Sequence, residues 1–301
     1  MRLWRIYVQT KISASVALLQ WPRLFGKWTK KYIGENPRGK VLVREFEKKF
    51  VQKIKDFNFE KTPGKSAEIL WQFWTPNKVL GTPDIIKACI NTVEKHKGDL
   101  QHILVDIKTI QNYAELPGFI YDLYNSGKMK PAHLADLLRI ELLHNHGGIW
   151  LDATGYMTAE VPKKIRDLDF FMFHVMRNGK PVVPYMQNCF IRADKNSPLL
   201  NGWRELCLEY WKNNDFAVEY FVHQIMFYSM VKKDSEMAKL YAKMPLVDQK
   251  ETHHYAGRMS AKFDMNEFEK ISQTSFFQKL FYKPEGVVTP ESNIVKLAEI
   301  I

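Results

Sequence analysis

The 301-residue chain is long enough for one large domain or one domain with an appendage, and 46% hydrophobic residues is ordinary globular content. Three widely spaced cysteines, Cys89, Cys189 and Cys207, exclude a disulfide framework and a zinc-type cluster and point to a reducing cytoplasm. No run of 18 or more apolar residues exists, which excludes a single spanning helix, and the whole net charge of +11 falls within residues 1–65, where 16 Lys or Arg face 5 Asp or Glu against 28 of each elsewhere.

Residues 1–34 carry seven basic residues and no acid, with Arg2, Arg5, Lys11, Arg23 and Lys27 interleaved among Leu3, Trp4, Ile6, Tyr7, Trp21, Phe25 and Trp28. Basic plus aromatic composition suits an anionic membrane surface; a solvated helical extension is the plainer alternative. A signal peptide is a poor fit, because SASVALLQ is short and broken by serines. No nucleic-acid fold signature accompanies the charge, so no nucleic acid is expected as a partner. A helical pattern continues over 41–59 with Phe46, Phe50, Val51 and Ile54, until KTPGKS at 61–66 punctuates the chain. Its Gly64-Lys65-Ser66 lacks the upstream glycine and the lead-in strand of a phosphate loop.

Beyond that boundary the chain alternates. An aromatic strand over 68–75 (EILWQFWT), a helix over 83–97, a strand over 102–106 and a helix over 118–126 predict a parallel sheet with crossover helices. In 131–158, Pro131 suits a first helical turn, and Leu134, Leu137, Leu138 and Leu142 make an apolar stripe. Asp136 and Arg139, three apart, share a face. Gly147-Gly148 can take positive φ and stop the helix; Ile149-Trp150-Leu151 reads as a buried strand that thrusts out Asp152. Two readings follow: Asp152 opens an Asx-type turn and Asp136 with Arg139 is a surface pair, or Asp152 holds a divalent cation at a sheet edge beside that pair.

Further strands are expected over 169–175 and 188–192, and helices over 198–213 and 221–231, where the Met and aromatic residues read as core. Gln187 and Asn188 precede the second of those strands. In THHYAGRMSAK, 252–262, adjacent histidines followed by a glycine and two cations form an oxygen-and-imidazole cup, or else His254 is a satisfied core histidine. From Ser275 the chain is again basic and aromatic; it is either a second membrane contact or a core cap built from Phe276, Phe277, Leu280 and Phe281.

The run ADLLRIELLHNHGGIWLDAT, 135–154, resembles the signature of the capsular polysaccharide synthesis glycosyltransferases, bacterial relatives of the DXD-containing sugar transferases and, more distantly, of the clostridial glucosylating toxins. The resemblance implies that Asp136 and Arg139 hold the donor sugar and that Asp152 binds metal and diphosphate. It also implies that Trp74 stacks on the nucleotide base, that Asn188 lies near the transferred sugar, and that His254, three before Gly257, completes the metal shell. Arg258 and Lys262 would neutralise the diphosphate. Thr154 stands where the wider superfamily has a second Asp, so a metal would be reached through its hydroxyl or a water.

The expected fold is α/β, a GT-A domain: a Rossmann-like nucleotide-diphospho-sugar transferase with a mixed, mostly parallel sheet over 66–265. A basic helical extension over 1–65 precedes it, and a helical, aromatic segment over 266–301 packs on the domain or a membrane. The implied activity is a retaining hexosyltransferase that takes UDP-glucose or UDP-galactose, with a divalent cation, Mn2+ ahead of Mg2+, and a lipid-linked oligosaccharide acceptor. It would work in the cytoplasm, peripheral on the inner face of the membrane. A metal-dependent phosphohydrolase of nucleotide sugars and a non-catalytic membrane adaptor are the rival readings.

Overall fold

The computed structural model describes residues 43–51, 64, 66–77, 79 and 81–300, so the basic segment 1–34 and most of the 61–66 boundary lie outside the described residues. The first elements are β1 (Ile69–Phe73), α1 (Asp84–His96), β2 (Gln101–Val105), α2 (Gly118–Asn125), α3 (Pro131–His146), β3 (Gly148–Leu151) and β4 (Gly155–Met157). Then come α4 (Lys163–Arg166), β5 (Phe170–Arg177), β6 (Lys180–Ala193), α5 (Pro198–Asn213), α6 (Val222–Lys233) and α7 (Ser235–Ala242). The chain closes with α8 (Met265–Thr274), β7 (Phe277–Lys279) and α9 (Asn293–Glu299).

Five strands form the main sheet in the order β2-β1-β3-β6-β5. β1 is parallel to β2 and β3, while β6 runs antiparallel to both β3 and β5. Four of the five strands therefore share a direction, the mixed, mostly parallel arrangement expected of a GT-A domain. β4 and β7 make a separate antiparallel pair.

The long helix α3 departs from a one-sided stripe. His133, Leu134 and every residue from Asp136 to His144 are buried, because it packs between the sheet and α5. The Asp136 and Arg139 pair is therefore an interior pair, which overturns the surface-pair alternative. Pro131 starts this helix, whose unsatisfied first turn has no use for its missing N–H. Two glycines end it. Gly147 and Gly148 have φ of +70° and +102°, and a Cβ on Gly148 would lie 2.5 Å from the Ile69 carbonyl oxygen. Only a residue without a side chain lets β3 lie this close to β1.

Strand β6 is longer than expected, beginning at Lys180 after a turn whose Asn178 and Gly179 both have positive φ, the geometry of a tight hairpin. Gln187 and Asn188 thus lie inside a strand rather than before one. Residues 266–300 pack on the rest of the structure: β7 pairs with β4, and α9 packs on α1, with Leu297 buried. Phe277 and Leu280 are buried and Phe276 packs against the core; Phe281 is exposed. Part of the expected extension also joins the core, since Val43, Phe46 and Val51 are buried, Phe46 edge-on to Tyr210.

Gly148→Ala should lower unfolding stability by about 2–4 kcal/mol, because it combines a clash with a backbone conformation unfavourable to L side chains. Urea denaturation measures this; an unshifted midpoint would refute the close approach of β3 to β1.

Candidate functional site

The carboxyl ends of β1 and β3 meet the middle of β6 at one edge of the sheet. Asp152 leaves β3 there, its N–H bonded to the Cys189 carbonyl at 2.8 Å and its own carbonyl accepting from Gln72 Nε2 of β1 at 3.3 Å. Pairing with β5 jumps from Met172 opposite Ile191 to Phe173 opposite Gln187, so Asn188 belongs to a bulge. Bulges re-aim side chains, and this one brings Asn188 Nδ2 to Asp136 Oδ1 at 2.8 Å.

Arg139 joins these pieces. Its Nη2 lies 3.2 Å from Asp136 Oδ1 and 3.2 Å from Asp152 Oδ1, its Nη1 donates to the Asn188 carbonyl, and its Nε donates to the Ala135 carbonyl at 3.3 Å. The guanidinium also lies 5.0 Å from the Trp150 ring centroid, a cation-π contact. The Trp150 indole N–H donates to Asp152 Oδ1 at 2.8 Å. Asp136 and Arg139 of α3, the half-buried Asp152 and Asn188 form one connected network.

Lys279 of β7 completes it. Its Nζ is 3.0 Å from Asp152 Oδ2 and donates to Thr154 Oγ1, placing an ammonium between the two side chains that would seat a metal. The geometry is imposed by the backbone: Gly155 pairs with Lys279, and Leu280 N–H bonds to the Thr154 carbonyl at 2.9 Å. A divalent ion between Asp152 and Thr154 would have to evict this ammonium, and stripping the partner from a buried charge costs about 3–5 kcal/mol. The Asp152 and Thr154 seat does not fit a metal as the side chains stand.

Burial alone would raise the Asp136 carboxyl, but Arg139 and the His223 ring outweigh it and hold it well below the usual carboxylate range. The Asp152 carboxyl follows the same logic: burial raises it, and Lys279 and then Arg139 bring it down. For Lys279, burial disfavours the ammonium but Asp152 keeps its pKa above the ordinary lysine value. Asp136, Asp152 and Lys279 are therefore charged at neutral pH.

Among the described residues one group of His, Cys, Asp or Glu side chains has ligand atoms close enough for a metal: His133, Asp136 and His223, all within 4.8 Å. This is a candidate His/Asp cation site behind Asp136. His223 Nδ1 is 3.0 Å and His133 Nδ1 3.6 Å from Asp136 Oδ2. Burial pushes His223 down, so its ring is neutral. Trp211 Nε1 donates to His223 Nε2 at 2.9 Å, which leaves the ring's single proton on Nδ1, facing Asp136. A cation would have to displace that proton.

The His254 ring pairs with Glu267 and Arg258 rather than with Asp152. His254 Nε2 lies 3.0 Å from Glu267 Oε1 and 2.5 Å from Arg258 Nη1, and Arg258 is itself paired with Glu267 at 3.0 Å. The turns after the short helix Lys250–His253 carry 254–262 toward the start of α8, where Lys262 is exposed and bridges Ser292. His254 and Arg258 are thereby engaged with Glu267, although the His254 N–H reaches Gln278, the neighbour of Lys279, at 3.2 Å. His253 is the histidine that senses the network: burial first and Lys279 second push it down to about 4. Its Nε2 is 4.0 Å from Cys189 Sγ. Trp74 follows β1 at the same sheet edge, edge-on to Tyr282 at 5.3 Å, with a buried indole N–H that has no hydrogen-bond partner among the described residues.

Sequence reasoning missed Lys279, His223 and Trp150 as contributors. Trp150 and His223 read as core residues. Lys279 lies on a three-residue strand too short to show a period, among basic and aromatic neighbours that mask it.

A sheet whose carboxyl edge carries a buried Asp and Arg network places the protein in the class of α/β proteins that take ligands at that edge. The family profile described as "Capsular polysaccharide synthesis protein" matches residues 25–295, and the chain belongs to that family. Among curated proteins, O-glycosyltransferase braB of Annulohypoxylon truncatum is 27% identical over 164 residues, which cover 50% of this chain and 39% of that protein. The match thus spans well under half of the fungal protein's length. A solved structure named PaToxG Glycosyltransferase superposes with a TM-score of 0.41 at 17% identity, over 80% of this chain and 99% of that one.

Between pH 6.5 and about 4 the unfolded chain binds a proton at position 253 that the folded protein refuses. Stability should therefore fall as pH drops through that window, before the Asp136 and Asp152 carboxylates protonate below it. His253→Gln should flatten this part of the Tm-versus-pH curve, and an unaltered slope would contradict the buried placement of His253.

Proposed function

We propose that this protein is a glycosyltransferase that moves a hexose from UDP-glucose or UDP-galactose to a lipid-linked oligosaccharide, with retention at the anomeric carbon. The observation that carries the reading is the connected network of Asp136, Arg139, Asp152 and Asn188 at the carboxyl edge of the sheet. Transfer demands a donor sugar held at a fixed angle to the acceptor hydroxyl, and a guanidinium locked by four partners is a rigid orienting group. Asp136, braced by Asn188 and His223, is the acceptor for sugar hydroxyls beside it. Trp74, whose indole N–H has no partner among the described residues, supports base recognition at the end of β1.

A divalent cation, where one is bound, neutralises charge on the leaving diphosphate. Should a divalent cation bind among the described residues, His133, Asp136 and His223 could hold it, their imidazole nitrogens favouring Mn2+ over Mg2+, and it would sit behind Asp136 rather than at the Asp152 edge. The acceptor would be reached at the inner face of the membrane. No helix among the described residues is long and apolar enough to cross a membrane, and seven unopposed cations in residues 1–34 support peripheral docking at about 1 kcal/mol per cation near an anionic surface.

The deciding experiment incubates the protein with a panel of UDP-sugars, with and without short oligosaccharide acceptors and Mn2+, and follows UDP release and product mass. Acceptor-dependent UDP release with a product one hexose heavier is expected. Release of sugar phosphate without an acceptor would make the protein a phosphohydrolase, and no turnover an adaptor. Asp136→Asn and Arg139→Lys should each cut turnover by about 100-fold or more, since a small misplacement of the sugar is enough.

Deleting residues 1–34 should abolish sedimentation with phosphatidylserine vesicles while UDP release persists. Undiminished sedimentation would remove the membrane part of the reading.

A further inference from the structure

We propose that the Lys279 ammonium is the protein's own cation for the donor diphosphate, so that sugar transfer at this site proceeds without a divalent metal. This rests on the transferase reading above and departs from the expected metal at Asp152. Three observations meet at one point. Two residues after Asp152 the seat offers the Thr154 hydroxyl and not a second carboxylate. Lys279 Nζ bonds to both remaining seat members, Asp152 Oδ2 at 3.0 Å and Thr154 Oγ1. Its strand is pinned to β4, in a register that puts Lys279 opposite Gly155, the residue after Thr154.

The charge count points the same way. Asp136 and Asp152 carry two negative charges, and Arg139 and Lys279 balance them. A divalent ion approaching this seat meets no net negative charge to draw it in, and finds its ligands already bonded to an ammonium. A diphosphate meets a neutral cluster that includes an ammonium, on a side chain still 16% exposed, that has used two of its three N–H donors. In the reaction the sugar C1–O bond breaks and its electron pair stays on the β-phosphate oxygen. The acceptor hydroxyl oxygen bonds to C1, and its proton passes to the departing diphosphate. Lys279 stabilises the negative charge that grows on that phosphate, as a fixed donor in a partly buried site.

The test uses the full chain with UDP, UDP-glucose and UDP-galactose in excess EDTA and, separately, in Mn2+. Expected are equal rates of UDP release in the two conditions, calorimetric UDP binding that persists in EDTA, and no UDP-dependent Mn2+ uptake by electron paramagnetic resonance. Lys279→Met should lower kcat by about 100-fold or more and weaken UDP binding, with Lys279→Arg restoring much of both. Lys279→Asp rebuilds an acidic seat and should make turnover depend on Mn2+. Circular dichroism identifies any variant that has not folded, and the wild-type comparison of EDTA with Mn2+ decides independently of the variants. Wild-type turnover lost in EDTA and restored by Mn2+ would overturn the proposal and leave the transferase reading intact, as would UDP affinity unchanged in a folded Lys279→Met. No turnover of any UDP-sugar in either condition overturns both.

Discussion

The site depends on one guanidinium. Arg139 touches two carboxylates, two main-chain carbonyls and an indole face, and these five contacts come from three places: its own helix, β3 with the strand end at Asp152, and the bulge at Asn188. Because α3 is buried on nearly every side, neither Asp136 nor Arg139 can turn to water, and each charge must be answered inside the protein. Removing one partner of such a network costs about 3–5 kcal/mol, whereas a surface pair costs little. The same constraint makes the site rigid before any ligand arrives, which electrostatic stabilisation of a transition state requires.

The fold delivers its charges by separate routes. α3 and β3 bring Asp136, Arg139 and Asp152 together because the two glycines reverse the chain within one residue step and let β3 lie against β1. The β6 bulge supplies Asn188, and β7 returns from the C-terminal part of the chain with Lys279. Behind them, Trp211 fixes the tautomer of His223, so that a neutral ring presents an N–H to Asp136. Residues between 133 and 223, from two helices and a strand, thus set the ionisation and orientation of the Asp136 carboxylate.

Much of this is legible in the sequence, and the reasons differ by residue. The alternation of aromatic strand and amphipathic helix from 68 to 126 carries the parallel half of the sheet, because each period is long enough to be read. Gly147-Gly148 and the apolar run after it mark β3 and the exit of Asp152, since a helix stop and a buried strand have strong local chemistry. The β5 and β6 hairpin was marked by Asn178-Gly179, a strong turn signal that an apolar-run reading passes over. Choosing His254 over His253 rested on spacing to Gly257, and spacing says nothing about which of two adjacent side chains points inward; His253 is the one near Cys189. Lys279 was invisible because its partners are 125 and 127 residues away.

An ammonium and a divalent ion solve the same problem at different cost. A metal brings two charges but must be recruited from solution, so its effect depends on concentration and on ligands that compete for it. A lysine brings one charge, needs no recruitment, and is positioned by backbone pairing before the donor binds. One charge is enough only where water is scarce and a second fixed cation stands close by. Asp152 joins Lys279 to Arg139 through its two oxygens, which gives the sheet edge that pair of cations without leaving either carboxylate unanswered.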